Sequence, residues 1–285
     1  MTTHAATQAK AKAEATSQST FSKQLPICVV FLHGIGGQAK GFDDAIAWFE
    51  LKGIKACAWN QPGYGGKPLV LPYTFSSIAA ALMDDLTKLS DLPQQAIAYR
   101  YVFVGHSMGG MLAQTIALVN HMLAPQQQLQ IAGLVLAQTS PAFGNSNGIF
   151  QTQFVNDRVA PLDAGLTMAD VAKKLIPPMV GPSCEPAKVQ FAASLMASVP
   201  PDTYRAALSA LVKFDVRPQL DLINMPVLCL AAEYDKTAPP AVLEKLAAKL
   251  AQGSYECLPG LGHVAPMENN DLFCSAVHRF ILTLA

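Results

Sequence analysis

The chain has 285 residues and is 51% hydrophobic, so it can fill one large core, or a core domain with an inserted lid, and is not disordered throughout. Lysine plus arginine equals aspartate plus glutamate at 20 each, so no net field favours nucleic acid or an anionic membrane, and a small-molecule substrate fits better. The longest apolar runs, such as residues 27–32, fall far short of the roughly 20 residues that a membrane span needs.

Residues 1–25 are rich in Ala, Thr, Ser, Gln and Lys. They lack an apolar targeting core and an arginine series, and read as a flexible tail. Six scattered cysteines form no Cys-x-x-Cys pair, which points to free thiols in a reducing, cytoplasmic setting. From residue 27 onward, short apolar runs alternate with helical patterns. Strands are predicted at 27–32, 55–59, 101–104, 131–137, 226–232 and 255–258. Helices are predicted at 42–51, 74–89, from 108 to about 119–121, at 241–250 and at 270–284. This βα alternation implies an α/β fold with a mainly parallel sheet flanked by helices.

Between Pro141 and Arg217 the pattern changes: no strand-like run occurs, prolines recur, and helical pieces carry many Met, Phe and Leu residues. This stretch reads as an inserted helical lid over residues 141–218, dividing a core of residues 26–140 and 219–285. Most of its apolar residues should pack the lid on the core, while some face a cavity; Phe150, Phe154 and Met179 are candidates, with Tyr64 from a core loop. Arg158, Lys173, Lys174, Lys188 and Arg205 are possible partners for a carboxylate, although solvated faces are the ordinary fate of such side chains.

The organising stretch is Gly105-His106-Ser107-Met108-Gly109-Gly110, which follows an apolar strand and opens a helix. That form is a nucleophile elbow with Ser107 at its tip, and Gly105 and Gly109 leave room where a Cβ would collide with the packed helix or strand. The Met108 N–H stands at a helix start, where free donors can hold a developing negative charge. The loop His33-Gly34-Ile35-Gly36-Gly37 can supply a second donor, the Ile35 N–H. A serine hydroxyl needs a base and the base needs an orienting acid. His263, after Gly262, and Asp235, after the 226–232 strand, should reach the same sheet edge as Ser107. Asp215 is the rival acid; His33 and His106 read as supporting residues. No His-x-x-x-His pattern or Cys/His cluster suggests a metal, and no Gly-x-Gly-x-x-Gly suggests a dinucleotide, so no cofactor is expected.

On these motifs the chain resembles the lidded α/β-hydrolase superfamily, in particular small bacterial members akin to 3-oxoadipate enol-lactonases, carboxylesterases, cofactor-free haloperoxidases and meta-cleavage C–C hydrolases. His33-Gly34 resembles the oxyanion loop, Gly105 to Gly110 the elbow, Glu233-Tyr234-Asp235 with Pro239 the acid loop, and Gly262-His263 with Glu268 the histidine loop. The resemblance implies a serine hydrolase of a small, mainly apolar ester or lactone, with C–C cleavage or haloperoxidase-like chemistry as alternatives within enzymes and a ligand-binding receptor as the alternative of another class. Serine at 107, where aspartate would stand, argues against dehalogenase and epoxide hydrolase chemistry. Two features depart from the pattern. No alternating strands precede Ile27, where the family usually has two, and the loop that often reads Asp-x-Pro-Gly-x-Gly begins here with Asn60.

Overall fold

The computed structural model describes residues 25–90, 99–144 and 148–284, so the tail expected over residues 1–25 lies outside the described residues except for Leu25. Six strands form one sheet: β1 (Ile27–Leu32), β2 (Lys55–Trp59), β3 (Arg100–His106), β4 (Ile131–Ala137), β5 (Val227–Ala232) and β6 (Gly253–Leu258). Their order is β2-β1-β3-β4-β5-β6, and every neighbouring pair is parallel. Parallel neighbours need crossovers that cover both faces, which is why the central strands are apolar on both sides. No strand precedes β1 among the described residues, so β2 closes that edge.

Strand periodicity divides the core in two. Val29 and Phe31 face helices α1 (Asp43–Glu50) and α10 (Asn270–Leu282), where Phe49, Phe273 and Val277 are buried. Cys28, Val30 and Leu32 face the opposite layer, built from α2 (Phe75–Ser90), α3 (Met108–Met122) and α8 (Pro240–Ala247). Proline sets two boundaries. Pro226 lies just outside β5 and gives only its carbonyl, to the Leu134 amide at 3.0 Å, whereas Pro240 opens α8 at a position whose N–H has no helical partner anyway.

Between β4 and β5 the chain inserts α4 (Ile149–Asp163), α5 (Met168–Leu175), α6 (Pro186–Ala197) and α7 (Pro201–Leu211). Helix α5 begins with a capping box in which Thr167 and Asp170 satisfy each other's backbone amides, and α6 and α7 begin with proline. The two ends of the insertion meet. Phe143 N donates to Phe214 O, Val216 N donates to Pro141 O, and an isolated antiparallel bridge joins Ala142 to Asp215. A four-residue helix, α9 (Ala265–Glu268), follows the loop after β6 and leads into α10.

Candidate active site

The turn from β3 into α3 places Ser107 at φ +55°, a left-handed conformation that few non-glycine residues adopt. Close packing forces the reversal. A Cβ on Gly105 would stand 2.2 Å from the Gly109 carbonyl oxygen, and one on Gly109 would stand 2.1 Å from that of Leu32. Ser107 is tied down on its strand side, where its N–H donates to Ala137 O at 2.9 Å and its carbonyl accepts from Thr139 Oγ1 at 2.7 Å.

Loops from three strand ends bring the expected side chains together. His263 Nε2 lies 3.0 Å from Ser107 Oγ, and His263 Nδ1 lies 2.8 Å from Asp235 Oδ2. The other carboxylate oxygen of Asp235 accepts from the amides of Thr237 at 2.7 Å and Ala238 at 3.0 Å. Burial alone would push this carboxyl up. The hydrogen bond and charge of His263, with the Ala238 and Thr237 amides, outweigh burial and hold it below the usual aspartate value. Asp235 is therefore an anion with one oxygen on the His263 ring and the other anchored by two backbone amides.

His263 is held from both sides through its backbone. Its N–H donates to Met179 O at 2.6 Å, and its carbonyl accepts from His106 Nε2 at 2.6 Å. Burial first, and then the neighbouring His263, bring His106 down to about 4, so at neutral pH it is an uncharged donor. Glu268 adds a clasp: it accepts from the Gly262 amide at 3.0 Å and from the Gly181 amide at 2.7 Å, joining the histidine loop to the insertion. Burial pushes the Glu268 carboxyl up against those amide bonds.

The loop after β1 stands on the other side of Ser107. His33 is buried and brought down to about 4, chiefly by burial; its Nε2 accepts from the Gln61 amide at 3.2 Å, and Gln61 Nε2 donates to His33 O at 2.7 Å. The amides of Ile35 and Met108 donate to no group among the described residues. Met108 directly follows Ser107 in the chain, and Ile35 lines the cavity over it.

A cavity of about 360 Å³ opens over Ser107 and His263 between the sheet edge and the insertion, with far more apolar than polar wall. Of the residues expected to touch substrate, Phe154 and Met179 line it. Two expectations are corrected. Tyr64 is fully buried behind the His33 loop, where its ring packs on His33 and its hydroxyl donates to Ile35 O at 3.0 Å, so it supports the loop and does not border the cavity. Phe150 is 55% exposed near the start of α4 and does not line the cavity; it packs behind two residues that do, stacked on Phe143 and tilted against Phe154. Asp215 pairs with Arg217 at 2.9 Å and borders a separate hollow beside α2 and α3, away from His263.

Sequence reasoning passed over Phe143, Tyr204, Gln61 and Thr139. For Phe143 and Thr139 a signal was available, since both follow β4 at the sheet edge that also holds Ser107. Tyr204 follows a Pro-Pro helix start, and nothing in its spacing tells cavity from core.

Among the described residues no group of three or more His, Cys, Asp or Glu side chains is placed to hold a metal ion, and no helix is long and apolar enough to cross a membrane. Fold and geometry together define an α/β hydrolase, and residues 29–276 match the model of the alpha/beta hydrolase family, to which the chain belongs. It is 26% identical over 271 residues to 3-oxoadipate enol-lactonase 2 of Acinetobacter baylyi, covering 92% of this chain and 91% of that one. It is 25% identical over 264 residues to a pimeloyl-[acyl-carrier protein] methyl ester esterase of Vibrio campbellii, covering 88% of this chain and 93% of that one. A thermophilic esterase from Thermogutta terrifontis shares the fold with a TM-score of 0.74 at 21% identity, over 92% of this chain and 91% of its own.

Proposed function

We propose that the chain is a serine hydrolase that cleaves a carboxylic ester or lactone through an acyl-enzyme. The observation that carries this reading is the unbroken series from Asp235 through His263 to Ser107, at 2.8 and 3.0 Å. In the first step Ser107 Oγ bonds to the substrate carbonyl carbon while His263 Nε2 takes the hydroxyl proton. Asp235 keeps the ring in the tautomer with its free nitrogen toward the serine, and stabilises the imidazolium once it forms. The carbonyl oxygen becomes an oxyanion beside the Met108 and Ile35 amides, each such donor being worth about 2.7–4 kcal/mol of barrier. His263 then returns its proton to the leaving alkoxide. Water, deprotonated by the same nitrogen, releases the acid and restores the serine.

The insertion acts as the lid that excludes bulk water and sets which substrates fit. Its largely apolar wall suits a small acyl or alcohol part, and the mainly ester- and lactone-cleaving relatives agree with that chemistry. All six cysteines are free thiols, which supports a reducing compartment as the place of action.

Replacing Ser107 by Ala is expected to abolish p-nitrophenyl ester turnover and labelling by a fluorophosphonate probe, with circular dichroism unchanged. Turnover retained by the folded variant would refute the mechanism.

A further inference from the structure

The wall that the insertion gives to the cavity carries one cation with no anion beside it. Arg158 of α4 is half-buried in that wall; its guanidinium carbon lies 3.4 Å from the centre of the Phe154 ring, and its Nη1 donates to Phe154 O at 3.3 Å. Other cations of the insertion are occupied or solvated. Arg205 pairs with Asp163 at 2.7 Å, Lys188 lies 3.7 Å from Glu185, and Lys173 and Lys174 are exposed. Asp157, next to Arg158 in the chain, is exposed and takes a hydrogen bond from Gln153. No carboxylate stands within ion-pair distance of Arg158 among the described residues.

Tyr204 of α7 lines the same cavity, is only 1% exposed, and its hydroxyl has no hydrogen-bond partner among the described residues. Burial pushes this phenol up to about 12 against the opposing charge of Arg158, so it keeps its proton at neutral pH. Burial likewise draws Arg158 below the usual guanidinium value, with Tyr204 and Asp157 working the other way. A partly desolvated guanidinium and a free phenolic donor in an otherwise apolar wall are costly unless a ligand completes them.

We propose that Arg158 and Tyr204 form a carboxylate subsite, so that the substrate is an ester or lactone carrying a free carboxylate apart from the carbonyl that Ser107 attacks. This rests on the ester reading above. A planar guanidinium matches a carboxylate with paired N–H bonds, and the phenol adds one donor to the same group. The other basic side chain on this cavity besides histidine, Lys236, belongs to the loop after β5 and is exposed, so the partly desolvated cation is Arg158.

The test compares mono-p-nitrophenyl adipate, pimelate and suberate, each with a neutral branched ester of the same number of non-hydrogen atoms. The wild type is expected to prefer the acid ester by about tenfold or more in kcat/KM at its best length, the size of one charge-assisted hydrogen bond. Arg158→Gln is expected to erase that preference mainly through KM, Arg158→Lys to keep part of it, and Tyr204→Phe to reduce it several-fold. Lys173→Gln, an exposed cation of the same insertion, should keep it. Absence of preference at every length, or a preference unchanged in Arg158→Gln, overturns the subsite. If the wild type hydrolyses none of the esters, the ester reading has failed, and adipate binding decides the subsite alone. A rise in Tm with adipate in the wild type but not in Arg158→Gln upholds it, and no rise in either overturns it.

Discussion

Ser107 sits in backbone geometry that an ordinary turn would relax, and the residues around it hold it there without carrying charge. His33 and His106 flank it, both buried and both brought down to about 4, mainly by burial, from 6.5 in an open chain. Their folded values lie below their unfolded ones, so between pH 6.5 and 4 the unfolded chain binds the extra protons. Stability from this source is full above about pH 6.5, falls as the pH drops, and levels off below about 4. The slope is about 1.4 kcal/mol per pH unit for each histidine. Urea midpoints measured from neutrality down to this window are expected to follow that fall. His106→Gln, which keeps an N–H for the His263 carbonyl, should remove about half of the histidine contribution. A midpoint that stays flat in the wild type would contradict the neutral state of both rings. Asp235, whose carboxyl is lowered, loses its contribution only below this range. At this scale the sequence was informative where a polar residue follows a strand end: Ser107, Asp235 and His263 each do, and the fold brings them together. It was uninformative for aromatics. Tyr64 and Phe150 have the composition of cavity residues, but whether a ring faces a cavity, a loop or solvent depends on tertiary direction that no spacing records.

At the level of elements, the site is held by contacts between pieces far apart in the chain. Helix α3 presses against β1 at Gly109, and the segment from Met179 to Gly181 lies on the histidine loop so closely that a Cβ on Gly262 would stand 2.3 Å from Met179 O. Glu268 joins these two segments by accepting both the Gly181 and the Gly262 amides. Glu268→Ala strands two buried donors and is expected to cost about 1–3 kcal/mol for each, with a matching loss of ester turnover as His263 loosens. Glu268→Gln retains one acceptor oxygen and should recover part of both. Urea unfolding and p-nitrophenyl ester rates on the two variants check this, and wild-type values in the alanine variant would deny the clasp. Glu268 was visible in the sequence only as a neighbour of the histidine loop. Its partner Gly181 lies 87 residues earlier, inside a proline-rich stretch whose packing on the core no local pattern specifies.

For the whole molecule, the balance of 20 basic and 20 acidic residues leaves no net charge near pH 7. Self-repulsion between copies is then least, so light-scattering second virial coefficients are expected to be lowest near neutrality and to rise on both sides. A steady climb through pH 7 would contradict this. The fold itself was largely legible because the central strands β1, β3, β4 and β5 are separate apolar runs followed by glycine-rich or polar loops, the pattern of a buried parallel sheet, whereas the edge strand β6 is mostly polar and exposed. Strand order was not legible, since β1 lies between β2 and β3 by crossovers whose direction leaves no mark in composition. The joined feet of the insertion, at Ala142 and Asp215, have a consequence for how such a chain diversifies. Because departure and return share one point of the scaffold, the intervening helices can be exchanged as a cassette without disturbing strand register, and specificity can change while the chemical step is inherited intact. The exchange has one condition: any graft must bring its own counterpart of Met179 and Gly181, or the His263 loop that they hold comes loose.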